Sequence, residues 1–318
     1  MIYQIFFTVV ALVLLFIFSI NKFSRQIERV AGDKLKDFLG RLTSNRVLAT
    51  LTGAGVASVF QSSTITTVMT VGLVNAGIIT FTQSLGVIFG ANIGTAITSQ
   101  LIALNVVAIA PFILIFGFLL LKFGGKYSTY GRSFFYFGLV FLCISLITQI
   151  VSPLSENPQI LGLLSKMDTL WLSILAGIIL TLVFQASAIT SGIVLVLAAS
   201  GFVDFSQGVG LMLGANVGTT STALLAALPM GNEAKKAALA HFLFNVIGLI
   251  IFIPLLPIFT SMINAIGGTV IQQVANLHLT FNVLTTIIFL LTINQFSSLI
   301  TWLAGRRIFH IHLPHWHQ

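Results

Sequence analysis

Phe60-Gln61-Ser62-Ser63-Thr64 is a polar cluster set in strongly apolar surroundings, and it returns as Phe184-Gln185-Ala186-Ser187-Ala188. Each copy is followed by a second shared motif, Gly90-Ala91-Asn92-Ile93-Gly94-Thr95 and then Gly214-Ala215-Asn216-Val217-Gly218-Thr219. The blocks 53–101 and 177–225 align without a gap at an offset of 124, with 19 of 49 positions identical. The shared residues include Gln, Ser, Thr, Asn and Gly, which common apolarity does not explain. The segment is an internal repeat.

Working outward, the composition decides the class. Of 318 residues, 57% are hydrophobic and 7% charged, with a mean hydropathy of +1.05. A soluble domain carries about 25% charged residues, so the chain reads as an all-α polytopic membrane protein. Its net charge of +8 lies in loops between apolar runs, where the positive-inside bias accounts for it; no nucleic-acid partner is expected. The single cysteine, Cys143, excludes an internal disulfide and a Cys-based metal site.

Residues 2–20 form an apolar run long enough to span a bilayer. No positive charge precedes it and no small-residue cleavage site is evident, which argues against a signal peptide. Residues 21–46 carry Lys22, Arg25, Arg29, Lys34, Lys36, Arg41 and Arg46, with apolar residues every three or four positions. They are predicted to form an amphipathic helix on the cytoplasmic surface, its charges on lipid headgroups.

Repeat 1 (47–128) is expected to hold a hairpin at 47–76, a broken span at 84–104 and a span at 106–121. In the hairpin, two arms of about 12 residues flank the polar cluster. Each reaches about 18 Å, short of the ~30 Å of hydrocarbon. A re-entrant helical hairpin fits, with its tip near the midplane and shielded by protein or water. Thr80-x-x-Gln83 reads as a capping box, and the glycines with Asn92 predict a broken transmembrane helix.

Repeat 2 (129–262) is expected to hold a span at 133–151, a hairpin at 169–200, a broken span at 208–228 and a span at 237–259. Asp204-x-x-Gln207 repeats the capping box. A last span at 281–303 precedes a cytoplasmic tail with His310, His312, His315 and His317, expected to be solvated. Placing the N-terminus outside puts every Lys and Arg except Lys166 in the cytoplasm, and the loops around Glu156 and His278 outside. Three full spans separate the hairpins, so the two repeats are predicted to have inverted topology, the architecture of a secondary transporter.

Polar groups at that depth are costly unless satisfied. Helix-to-helix hydrogen bonding is the plain explanation of one such cluster; two in register point to a ligand. Hydroxyl and carboxamide donors and free helix N–H groups suit an oxyanion. Asn, Gln and Thr oxygens suit a hard cation. No Lys or Arg falls within the predicted spans or hairpins, so co-transported cations are expected to balance the anion's charge.

These residues resemble the type II sodium–phosphate cotransporter family. The resemblance rests on Gln61-Ser-Ser-Thr, Gln185-Ala-Ser-Ala, Gly90-Ala-Asn-Ile-Gly-Thr-Ala, Gly214-Ala-Asn-Val-Gly-Thr-Thr-Ser-Thr and Ala238-Leu-Ala-His-Phe-Leu-Phe-Asn-Val-Ile-Gly248, within residues 48–256. It implies sodium-driven symport of inorganic phosphate into the cell by alternating access, across the plasma (inner) membrane, with no enzyme activity and no organic cofactor. Transport of another oxyanion or small solute, and phosphate sensing without transport, are the alternatives; a homo-oligomer is compatible with the sequence. Carried over by motif, the phosphate-binding candidates are Gln61, Ser62, Ser63, Thr64, Gln185 and Ser187. Asn92 and Asn216, at the expected helix breaks, are added as ligands or break-stabilisers. Ala186 and Ala188 replace two hydroxyls of the pattern. Some bacterial members carry a cytoplasmic regulatory domain, for which the expected tail has no room. Thr66, Thr95, Thr98, Thr190, Ser191, Thr219 and Thr222 are candidate sodium oxygens, with back-bonding of each Thr to its own helix as the alternative. His241 and Asn245 share a helix face as an expected packed polar pair.

Overall fold

In a computed structural model of the chain, residues 2–42, 45–104, 106–153 and 169–305 are described. They form thirteen α-helices and short 3-10 turns, with no strand among them. Six helical segments are long and apolar enough to cross a membrane: Tyr3–Ile27, Phe81–Ala103, Gly125–Val151, Phe205–Ala227, Asn232–Ile266 and Val270–Leu291. The protein is an all-α polytopic membrane protein.

Helix α1, Ile2–Leu42, runs unbroken for 41 residues. The apolar run and the basic segment, expected as two elements, are one helix about 60 Å long at 1.5 Å per residue. No Gly or Pro falls at the junction, and Ser19, which bonds back to the Leu15 carbonyl, is accommodated within the helix, so propagation is not stopped. This helix packs antiparallel to α6, Ser128–Val151. The Gln26 carboxamide donates to the Thr129 carbonyl at 3.5 Å, Phe23 packs on Phe137 with centroids 5.3 Å apart, and Val9 and Val13 share a groove with Ile147 and Val151.

Two helical pairs carry the duplicated clusters: α2 (Arg46–Phe60) with α3 (Ser63–Asn75), and α7 (Leu170–Phe184) with α8 (Ser187–Ala199). Their boundaries match the predicted hairpins. The longer arms have 15 residues, or about 22 Å, so no single arm spans the bilayer. Asn45 caps α2, its side chain accepting from Val47 N and Leu48 N, and Thr169 caps α7.

The helices after the hairpins, α4 (Phe81–Ala103) and α9 (Phe205–Ala227), begin at the predicted capping boxes. Loss of such a cap costs about 1 kcal/mol. Contrary to expectation, neither helix is broken: both run continuously for 23 residues through the Gly-Ala-Asn-x-Gly-Thr motif. The glycines serve close packing instead. Gly86, Gly90 and Gly94 line one face of α4 at four-residue spacing. A Cβ at Gly86 would lie 2.8 Å from Ala49 Cβ, and one at Gly94 would lie 2.6 Å from the Ala54 carbonyl oxygen. At Gly90 it would fall on the Thr50 carbonyl oxygen. Gly210, Gly214 and Gly218 do the same against α7, where a Cβ at Gly214 meets the Ile174 carbonyl oxygen. Small residues that let backbones touch drive helix association in lipid, where apolar burial gives little force.

Three further expectations are revised. The span at 106–121 is a 3-10 turn, Val106–Ile109, and a 14-residue helix, α5 (Ala110–Phe123), too short to cross alone; Pro111 at its start cannot continue a preceding helix. The span at 237–259 is α10 (Asn232–Phe252), a 3-10 turn Ile253–Leu255 at Pro254, and α11 (Leu256–Ile266). The last span is displaced: α12 covers Val270–Leu291 and α13 Ile293–Gly305. His278 is therefore not in an outer loop; it lies mid-helix and is 1% exposed. The polar residues of α12 lowered its apparent hydropathy, but they face protein rather than lipid. The loop bearing Glu156, Lys166 and Asp168, and the histidine tail, lie outside the described residues.

Candidate functional site

The two tips are built alike. Gln61 ends α2 at φ 53°, ψ 31°, and Gln185 ends α7 at φ 52°, ψ 24°. They are the only non-glycine residues with positive φ among the described residues. The left-handed region costs a side-chain-bearing residue about 1–2 kcal/mol and is ordinarily given to glycine. A glutamine there twice is strain stored at the same place in both copies of the motif.

The left-handed residue turns the chain so that α3 and α8 start at the tips, where they meet. The Ser63 and Ser187 hydroxyls are hydrogen-bonded at 3.1 Å, and both residues are buried. Two helix N-termini, each worth about half a positive charge, thus converge. They repel one another, and an anion between them relieves that repulsion. Their first N–H groups have no intrahelical acceptors. Ser62 caps α3 by accepting from Ile65 N at 3.2 Å, which leaves its own O–H to donate. Ala186 gives α8 no side-chain cap.

A pocket of about 150 Å³ opens at the tips, its wall mixed: polar Gln61, Ser62, Thr64 and Gln185, apolar Ile65, Ala186, Ala188 and Ile189, and Ile20, Asn21, Ser24 and Arg25 of α1. Gln61 is buried and its carboxamide NH2 donates to the Ser58 carbonyl at 2.7 Å; Gln185 is exposed. The buried Thr64 hydroxyl has no protein partner, and a buried polar atom left so is ordinarily met by water or an ion. The two alanines that replace hydroxyls face this same pocket. A cavity of about 220 Å³ between α1, α6 and α8 is lined by Gly192 and apolar side chains only, which suits hydrocarbon rather than an ion.

Of the other candidates, Asn92 and Asn216 lie inside continuous helices, away from this pocket. The Asn92 carboxamide donates to the Ile88 carbonyl at 2.9 Å. Asn216 belongs to a buried network invisible in the repeat motifs. Its oxygen pairs with His278 Nε2 at 3.1 Å, its NH2 donates to Asn282 Oδ1 at 3.3 Å, and His278 Nδ1 pairs with the Ser99 hydroxyl at 3.1 Å. Helix α12 thereby ties α4 to α9. A findable signal existed: Thr269-x-x-Gln272 is a third capping box, and His278, Asn282 and Thr285 recur on one helical face.

The back-bonding alternative describes all six threonines. Thr66, Thr95, Thr98, Thr190 and Thr219 donate to carbonyls four residues back, and Thr222 to Thr219 O at 2.8 Å. Donation leaves the oxygen lone pairs available, so it does not disqualify them as cation ligands. Thr98 borders Gln61 and Ala188 in a small cavity. Thr190 also accepts from Thr181 across its hairpin at 3.0 Å. Ser191 is buried. His241 and Asn245 are buried on one face, but their side chains do not bond each other: Asn245 donates to the His241 carbonyl at 3.0 Å, and both His241 nitrogens lack partners. No group of three or more His, Cys, Asp or Glu gathers among the described residues.

The fold is that of a polytopic membrane protein with polar groups from two copies of one motif gathered inside it, and the comparisons place it among transporters rather than enzymes. The chain belongs to the Na+/Pi-cotransporter family, whose profile matches residues 15–149 and 157–262. It is 31% identical over 269 residues to the uncharacterized protein YqeW of Bacillus subtilis, covering 84% of this chain and 87% of that protein. To YjbB of Escherichia coli, named as a candidate inorganic phosphate export protein, it is 26% identical over 231 residues, 72% of this chain but 42% of that one. Sodium-dependent phosphate transport protein 2C of Homo sapiens shares 38% identity over 86 residues, 26% of this chain and 14% of that protein. No solved structure matches the chain.

Proposed function

We propose that the protein is a sodium-coupled symporter that takes inorganic phosphate into the cell across the plasma membrane, binding it between the two hairpin tips. The observation that carries this reading is the meeting of the starts of α3 and α8, joined at Ser63 and Ser187, beside a pocket that draws Gln61, Ser62 and Thr64 from one repeat and Gln185 from the other. The matching of α2–α4 by α7–α9 supports inverted repeats that alternate about this contact, with a cytoplasmic basic end and an outer N-terminus. The six threonines, with Ser191, are proposed as the surrounding oxygens from which sodium ligands are drawn; Asn92 and Asn216, expected as phosphate ligands, lie away from the pocket and are given no direct contact with the anion. A transport protein of the same family with 2C in its name is sodium-dependent by that name.

The test is radiolabelled phosphate uptake into proteoliposomes. An inward sodium gradient is expected to raise uptake about tenfold over choline, equivalent to about 1.4 kcal/mol of coupling. Uptake indifferent to sodium would defeat the symport reading. Export is a second reading, favoured by the name of YjbB; net efflux sustained against an inward sodium gradient would establish it.

Alternation also predicts that the tips separate during transport. In a Cys143→Ala background, Ser63→Cys with Ser187→Cys replaces two oxygens 3.1 Å apart by sulfurs that bond at about 2.0 Å. Oxidation is expected to cross-link the pair, protecting both from maleimide, and to stop uptake until a reductant is added. Cross-linked protein that still transports at the reduced rate would show that the tips need not part.

A further inference from the structure

Arg25 was expected among lipid headgroups on a surface helix. It instead belongs to α1, which continues past its apolar run and lies against the first hairpin tip. The Ser24 hydroxyl, buried, donates to the Phe60 carbonyl at 2.8 Å, one residue before Gln61. That bond fixes the register of α1 on the tip and brings Arg25 to the wall of the pocket shared with Gln61, Thr64 and Gln185. Arg25 has no acidic partner among the described residues, where the one ion pair is Lys236 with Glu233. Ala186 and Ala188 line the same pocket and present no hydroxyl to it. Arg25, unpaired among the described residues, thus lines the same pocket as Thr64, whose buried hydroxyl has no partner, and as the first turns of α3 and α8.

We infer that Arg25 is the counter-charge of the substrate site: its guanidinium binds the phosphate oxygens directly and supplies donors in the pocket where the second repeat has lost hydroxyls. This rests on the reading of the tips as the phosphate site. A planar fork of N–H groups matches two oxyanion oxygens at once, which a lysine ammonium cannot do. One fixed positive charge on the protein also lessens the charge that co-transported cations must balance.

The experiment measures phosphate uptake and binding by Arg25→Gln, Arg25→Lys and, as a control one helical turn further on, Arg29→Gln. Arg25→Gln is expected to raise the KM for inorganic phosphate tenfold or more, Arg25→Lys to raise it less, and Arg29→Gln to leave it unchanged. In a Cys143→Ala background, Arg25→Cys is expected to regain phosphate affinity with a cationic thiosulfonate and to lose more with an anionic one, a readout that a structural role would not move. An unchanged KM in Arg25→Gln, or an equal rise in Arg29→Gln, overturns the proposal. Were Arg25 holding a lipid phosphate instead, the effect of its loss would follow the anionic lipid content of the vesicles and leave the KM in place, which also overturns it. Gln61→Ala and Gln185→Ala separate the two layers. If they abolish phosphate binding while Arg25→Gln does not, only this assignment falls; if none of the three affects binding, the tip site falls with it.

Discussion

Gln61→Ala and Gln185→Ala are each expected to reduce phosphate uptake by about 10- to 150-fold while leaving the amount of folded protein unchanged. The magnitude is that of removing a hydrogen-bonding partner from a charged ligand, about 1.5–3 kcal/mol. Folding should survive because alanine, like glutamine, has a Cβ, so the cost of the left-handed turn at φ 53° and 52° is the same before and after, and loss of the Gln61–Ser58 hydrogen bond costs only about 1 kcal/mol. Gln61→Gly and Gln185→Gly sharpen the test. Glycine relieves about 1–2 kcal/mol of strain at each turn, so these variants should melt no lower than the parent in detergent and yet transport no better than the alanine forms. Transport restored by glycine would show that only the turn mattered; full uptake in both alanine variants would remove the tips from the mechanism.

Gly90→Ala and Gly214→Ala are expected to do the opposite, removing the folded protein itself. The added methyl falls on the Thr50 carbonyl oxygen in one case and the Ile174 carbonyl oxygen in the other. Backbone atoms of packed helices cannot step aside as the end of a side chain can. Overpacking of this kind costs about 1–3 kcal/mol, and more where backbone must move. Expression and the melting temperature in detergent should both drop sharply. Gly55→Ala and Gly72→Ala are the matched controls, because a Cβ at either meets nothing within 4 Å. Each should be neutral or gain up to about 1 kcal/mol of helix propensity. Equal losses at all four positions would mean that helix flexibility, rather than close approach, is what the glycines supply.

Much of this architecture was legible in the chain. The duplication revealed both hairpins to within a residue or two, because a left-handed Gln between two apolar arms is a local event. The capping boxes at Thr80 and Asp204 were readable for the same reason: each is closed by residues three apart. The two glycine motifs were correctly seen as exceptional but wrongly read as breaks. Glycine weakens a helix and also lets a neighbour approach, and sequence does not show which neighbour is present. Helix α12 was misplaced because hydropathy assumes that lipid surrounds a span. His278, Asn282 and Thr285 are instead buried against α4, α9 and α10.

What the sequence alone determined is therefore the membrane class, the repeat and the position of each left-handed glutamine, all set by composition or by residues close along the chain. Only the tertiary structure decided that Ser63 meets Ser187 across 124 residues, that α4 and α9 stay whole, and that Arg25 of a basic stretch lines the pocket at the tips. The reason is physical: these outcomes depend on which helix face lies against which. Packing across long separations sets that relation, and no local propensity records it.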